Sequence, residues 1–395
     1  MTISSIGLSR ILEEDEPELA LRLFPINVEA VRSGALTMLR RDQADTDMHP
    51  FDDQVARFLS THAGDARLYS LIGEIRRRSG AQEDAFAAFE QALVLSKTEV
   101  DALQWTLQRS LDQGDYAAAL DQLDILFRRW PNRVQPLAPI VLDVFSDPGR
   151  YPALLSRLEE NPPWRRSLIS TLSREPEALS FLARIVQDLA AGPAPAGHSE
   201  LGTVLSALLG AKLYDLAHLT FIFTLTPAEQ EVAGYIHNGR FLLRPTGRPF
   251  DWQIRDHPGL TMQFPGESQA RGGDAGGLRL QFNNTPVRNL SLRQTLALPP
   301  GAYEFAFTVS AADARLPKGL LWRIACVGSN RIVAEAAVEP GAYGPTPATV
   351  ELFIPSDDCP AQTLHLATKA IGENWNDRYS GSVTFNDFHI TSIGS

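Results

Sequence analysis

The chain has 395 residues, 44% of them hydrophobic and 21% charged, with a formal net charge of −11. That is room for two or three domains of ordinary size, each able to bury a core of its own. No apolar run approaches the roughly 20 residues that cross a bilayer, and the excess of acid disfavours non-specific nucleic-acid binding, which needs phosphate neutralisation.

The opening residues, MTISSIGLSRILEEDEPELA, meet acid early and lack a basic stretch followed by an apolar one. They do not read as a signal peptide. With residue 1 as the native start, the expected location is the cytoplasm. With a longer native start, the periplasm or the cell exterior stays open. The charge is unevenly placed: residues 236–395 carry equal numbers of acidic and basic side chains, so the whole imbalance falls on residues 1–235.

The first part reads as helical and contains an internal repeat. GAQEDAFAAFEQAL from Gly80 aligns with GDYAAALDQLDILF from Gly114, so that Gly80, Ala85, Phe89 and Ala92 recur as Gly114, Ala119, Leu123 and Leu126. Upstream, Gly73 and Leu107 occupy equivalent places. The glycine supplies a turn, the small alanine lets the second helix approach the first, and the later large residues form one stripe. A lone unit cannot bury that stripe, so units are expected to stack. Pro131 closes the second unit where a helix must end.

These residues resemble the tetratricopeptide repeat. The match is close from about Leu68 to Pro131 and looser at Glu18–Ala30, Gly149–Pro162 and Leu213–Pro227; Tyr69 and Leu103 stand where the repeat carries its signature tryptophan. The resemblance implies a helical-repeat solenoid over residues 1–234 that binds a protein partner. AAGPAPAGHSE (Ala190–Glu200) is a loop by composition, joining two helices.

After Tyr235 the helical period stops. About ten short alternating runs, among them GLTMQF, GLRLQFNN, AYEFAFTVSA, GLLWRIACVG and SVTFNDFHI, are bounded by Gly, Pro and Asn. Their spacing predicts an antiparallel β-sandwich over residues 235–395. Phe250, Trp252 and Ile254 alternate with polar residues, as do Trp322, Ile324 and Cys326, which predicts both tryptophans in the core.

Three motifs bring a second resemblance: an opening Asn238, Gly239, Phe241; a mid-domain corner of Gln294, Leu296, Leu298, Gly301 and Tyr303; and a closing Phe385, Asn386, Asp387. Together they resemble the jelly-roll carbohydrate-binding modules attached to bacterial glycan-degrading enzymes. Leu242 replaces an acid of the family pattern. The resemblance implies a jelly-roll sandwich, a possible glycan ligand, and Asp387 as a candidate ligand of a structural calcium ion.

The candidate glycan site is IGENWNDRYSG (Ile371–Gly381), where Trp375 and Tyr379 lie in a polar loop with Asn374, Asn376, Asp377 and Arg378. An aromatic ring would stack on a sugar face while amides and the guanidinium pair its hydroxyls. The alternative is a ring folded back as a lid over the sandwich end. Cys326 and Cys359 could form a disulfide in an oxidising compartment, or remain two half-buried thiols.

Catalytic motifs are missing from the sequence. The glycine-rich run Gly266–Gly277 has no Lys-Ser/Thr and no following helix, so it reads as a hairpin loop rather than a phosphate loop. The eight histidines are scattered, and Asp357–Asp358 fall in a turn. The expected function is a non-catalytic adaptor, its repeats on a protein partner and its sandwich on a glycan, in bacterial surface-polysaccharide synthesis or export. A pure protein scaffold and an accessory part of a glycan-active enzyme are the alternatives. Neither nucleic acid nor any cofactor beyond calcium is expected.

Overall fold

A computed structural model describes residues 3–25, 27–40, 55–264, 277–287, 290–369 and 376–394. The chain divides into two compact units, Met1–Ser167 and Leu168–Ser395. The change from helix to strand falls where the sequence places it, after residue 234. The division into units comes earlier, so the helices after Leu168 belong with the sandwich.

The first unit is helical. It runs through α1 (Ile3–Leu12), α2 (Pro17–Leu23), α3 (Val28–Arg40), α4 (Ala66–Arg78), α5 (Gln82–Leu95), α6 (Val100–Asp112), α7 (Tyr116–Arg129), α8 (Val134–Phe145) and α9 (Tyr151–Glu159). Helix starts are fixed by side chains: Asp65 accepts from the Arg67 amide ahead of α4, and Asp115 from the Ala118 amide ahead of α7. Gly80 and Gly114 take left-handed conformations, φ 83° and 74°, at the turns between paired helices.

The repeated positions do equivalent work in both units of the repeat. Ala85, Phe89 and Ala92 are buried, and so are Ala119, Leu123 and Leu126. Gly73 leaves the space that the Phe89 ring fills: a Cβ there would lie 2.6 Å from the ring. The second unit carries leucine at both places, Leu107 and Leu123, and both are buried. Ala119 has no room to grow, so Ala119→Leu is expected to destabilise the protein by about 1–3 kcal/mol through overpacking. Chemical denaturation reads this directly, and a neutral result would show that the helices do not approach at Ala119.

α10 (Arg165–Leu172) spans the division between the units. The second unit continues with α11 (Leu179–Ala191), α12 (His198–Gly210), α13 (Tyr214–Phe223) and α14 (Pro227–Gln230). The Gly-Pro-Ala segment between α11 and α12 is a loop, as its composition predicts. Glu200 closes it by accepting from the Gly197 amide at 2.9 Å.

Eleven strands follow among the described residues: β1 (Gln253–Ile254), β2 (Leu260–Gln263), β3 (Leu278–Phe282), β4 (Thr285–Pro286), β5 (Leu292–Leu296), β6 (Gly301–Arg315), β7 (Leu320–Cys326), β8 (Ile332–Val338), β9 (Gly341–Ile354), β10 (Gln362–Ala367) and β11 (Arg378–Ser392). They form two antiparallel sheets, β1-β5-β10-β7-β8 and β2-β3-β11-β6-β9, with β4 paired to β11. This is the expected β-sandwich.

Its core is aromatic. The Trp252 ring lies 4.8 Å from Phe241 and 5.8 Å from Trp322, and Trp322 lies 4.9 Å from Phe388. Both tryptophans are fully buried. Alternation puts them there, as the sequence predicts.

Cys326, at the end of β7, and Cys359, before β10, are joined by a disulfide. The two-thiol alternative is therefore set aside. The bond closes a loop of sequence separation 33, which corresponds to roughly 3–4 kcal/mol of lost unfolded-state entropy. Thiol titration of the denatured protein should find no free thiol before reduction and two after it, and reduction should lower the denaturation midpoint. Two free thiols without reductant would contradict the pairing.

Candidate functional site

The predicted site loop is only partly described. Asn374 and Trp375 lie outside the described residues, as does nearly all of the glycine-rich run Gly266–Gly277. Asn376 is exposed, and Asp377 pairs with Lys318 at 3.6 Å. Arg378 is half-buried at the first position of β11, opposite Pro286.

Tyr379 corrects the expectation. It is fully buried, with its ring 5.5 Å from Phe282 and its hydroxyl donating to the Gly319 carbonyl at 2.9 Å. Burial pushes its phenol up to about 12. Because β11 begins at Arg378, Tyr379 falls on the inward face of a strand and not in a loop. It is a core residue and cannot stack on a sugar.

The opening and closing motifs do meet. Asn238, at φ 50°, accepts from the Leu243 amide at 3.1 Å and donates to the Leu243 carbonyl at 2.7 Å. Its own carbonyl accepts from the Trp252 indole at 3.1 Å. Gly239 is required by close approach: a Cβ there would lie 2.0 Å from the Phe388 carbonyl oxygen. The Gly239 carbonyl accepts from the Phe388 amide at 3.1 Å, which ties the opening segment to an irregularity in β11 between Asn386 and His389. These motif residues are packing devices that hold the sandwich shut.

Asp387 sits on that irregularity at φ 54°, and its carboxylate lies 3.3 Å from the Arg240 guanidinium. The two line a cleft of about 310 Å³ with Tyr235, Leu242 and His389. A guanidinium beside the carboxylate, and Leu242 where the family pattern has an acid, do not fit a calcium ion. Among the described residues no group of three His, Cys, Asp or Glu side chains is gathered.

A stronger constellation lies on the outer face of the five-stranded sheet. The register aligns Gln253 with Arg293, Arg293 with His365, His365 with Arg323, and Arg323 with Glu335. Each of the five strands thus contributes one polar side chain to a single cross-strand row. With strands about 4.8 Å apart, the row is roughly 19 Å long.

The row is internally braced. Arg293 Nε donates to Gln253 Oε1 at 2.9 Å, and Arg323 Nε donates to Glu335 Oε1 at 2.8 Å. Thr363 and Ala367 flank His365 on β10, opposite Ala325 and the buried Leu321 of β7. His365, at the centre, is held below the ordinary imidazole range by burial first, then by Arg323 and Arg293. Arg255, two residues beyond Gln253 on the same face, has its amide bonded to the Ser291 carbonyl at 3.0 Å.

The opposite sheet differs. Its outer face aligns Gln281 with Ser382, Thr384 with Ser310 and Asn386 with Thr308, mainly hydroxyls and amides. Arg279 on β3 and the facing pair Glu304 and Glu351 on β6 and β9 add charge to that face, but no cross-strand row of arginines and histidine forms there among the described residues. Sequence reading missed this row because it emerges only from register. Its trace was present in the alternation: Arg323 between Trp322 and Ile324, His365 between Leu364 and Leu366, Glu335 between Ala334 and Ala336.

No protein-family model matches the chain, and no curated protein matches it. Solved structures do. A CBM4 module is 15% identical, with 40% of this chain and 99% of the module covered, at a TM-score of 0.30. The CBM22-1 xylan-binding domain of Xyn10C from Paenibacillus barcinonensis is 12% identical, with 40% of this chain and 93% of the domain covered, at a TM-score of 0.27. A CBM61 module solved with β-1,4-galactotriose is 14% identical, with 41% of this chain and 99% of the module covered, at a TM-score of 0.26.

Proposed function

We propose that this protein is a non-catalytic carbohydrate-binding adaptor whose glycan lies on the outer face of the five-stranded sheet. The observation that carries the reading is the row Gln253, Arg293, His365, Arg323, Glu335. It offers a braced polar track across a whole sheet, with Thr363 and Ala367 beside it on β10, and its length suits several consecutive sugar residues. The sequence resemblance to jelly-roll carbohydrate-binding modules supports the same reading. Among the described residues no aromatic side chain stands in this row, so hydrogen bonds and charge carry its recognition.

The helical first part is read as tetratricopeptide-like and as the docking array for a protein partner. Its support is a groove of about 700 Å³ between α5, α6 and α7, with Val94 76% exposed beside it. Such a pairing suits surface-polysaccharide synthesis or export in a bacterium. The disulfide favours the periplasmic or secreted alternative over the cytoplasm, because such bonds persist in oxidising compartments.

A glycan-array screen of the intact protein tests the binding reading. Retention on one structural class of glycan is expected. A blank array, with the sandwich folded by circular dichroism, would leave a protein scaffold as the function.

A further inference from the structure

We infer that the glycan bound on this face is acidic, its sugar carboxylates seated on Arg293 and Arg323 to either side of His365. The inference rests on the carbohydrate-binding reading above and names its ligand class. Arginine offers donors only, and an ionised carboxylate accepts only, so the two match without a wasted group. Within the row the guanidiniums of Arg293 and Arg323 stand against the one carboxylate of Glu335, with Arg255 just past the end of β1. A neutral chain needs acceptors for its hydroxyl protons as often as donors, and this row supplies few.

The arginines are also placed well. They lie two strands apart, roughly 10 Å, with the imidazole of His365 between them on β10. Each is steered by a neighbour within the row, Arg293 through Nε on Gln253 and Arg323 through Nε and Nη2 on Glu335, at 2.8 and 2.7 Å. Such bracing lowers the ordering cost of binding.

A pH dependence follows. His365 faces Arg293 on β5, Arg323 on β7 and, farther off, Glu335 on β8, and burial with the two guanidiniums holds it below the ordinary imidazole range. A bound carboxylate would raise its pKa. Affinity should then rise as pH falls below that raised value and level off below the value in the free protein.

The test uses the intact protein in affinity electrophoresis. The gels contain a polyuronate, the same polymer with its carboxyls reduced, or poly-glutamate as a non-sugar polyanion. Retardation by the polyuronate alone is expected, weakening with salt. Arg293→Gln and Arg323→Gln should each weaken it about tenfold, and Arg→Lys should restore part of the loss. His365→Gln should remove the rise in affinity at low pH. Equal binding to the reduced polymer would overturn the acidic inference while leaving carbohydrate binding intact. Equal retardation by poly-glutamate would show charge without sugar recognition and overturn it too. No binding to any sugar polymer would overturn both. Unchanged melting temperatures in the variants keep lost binding distinct from lost folding.

Discussion

Arg248→Ala should cost the protein roughly 3–5 kcal/mol, because it leaves the Glu229 carboxylate buried without its partner. The two side chains are 1% and 9% exposed. Glu229 sits in α14 and closes its capping box, accepting from the Thr226 amide and hydroxyl, each at 2.9 Å. Arg248 lies in the segment leading into β1, with its guanidinium 5.1 Å from the Phe221 ring of α13. The pair therefore fastens the last helices to the sandwich within one compact unit.

Burial pushes Glu229 up, but the Thr226 amide and Arg248 together hold it below the ordinary carboxylate range. A depressed folded pKa gives stability that is fully present above the unfolded value and lost as pH falls through the folded one. Wild type should therefore lose more stability than Arg248→Ala on acidification. The same contact bears on fragments. Residues 168–395 should fold, whereas 235–395, cut at the helix–strand boundary, lacks both Glu229 and Phe221 and should be at least about 3 kcal/mol less stable. Equal stability of the two fragments in urea would show that the helices are not part of the sandwich's folding unit.

Trp252→Ala carries the second large effect, roughly 3–5 kcal/mol. The ring is fully buried, packed on Phe241 at 4.8 Å and edge-on to Phe388 at 5.6 Å and Trp322 at 5.8 Å. Its indole N–H donates to the Asn238 carbonyl. Removing it empties the centre of the aromatic cluster and frees that carbonyl, whereas Trp252→Phe keeps most of the packing and should cost less. A loss below about 1 kcal/mol for the alanine variant, read by chemical denaturation, would mean that the ring does not sit in the core.

Much of the fold was legible in the sequence because its signals are local. The 34-residue offset exposed Ala85 and Ala119, and alternation put Trp252 and Trp322 inside. The opening Asn238-Gly239 and the closing Asp387 were visible as motifs. Their meaning was not, since it depends on Gly239 meeting Phe388 across the sandwich and on Arg240 reaching Asp387. Tyr379 was misread for a related reason: a polar run preceded it, and nothing local marked Arg378 as the start of a strand. The row on the five-stranded sheet needed the register of strands far apart in the chain: Gln253 lies 112 residues before His365 (365 − 253) and Arg293 72 (365 − 293). The helices from Leu168 onward read like the earlier ones by period. The pairing of Glu229 with Arg248, and Phe221 against His237 and Phe250, reveal which core they serve.

A ligand on the outer face of the five-stranded sheet should be excluded by a bulky side chain placed on that face. Thr363 is a small residue on the central strand β10, beside the row and opposite Ala325. Thr363→Trp projects a large ring over the track from a half-buried outward position, so folding should be nearly unchanged, within the about ±0.5 kcal/mol typical of surface changes. In affinity electrophoresis against the glycan class retained on the array, the variant should lose retardation at least tenfold while its melting temperature stays near that of wild type. Wild-type retardation of a folded Thr363→Trp protein would place the ligand elsewhere on the molecule.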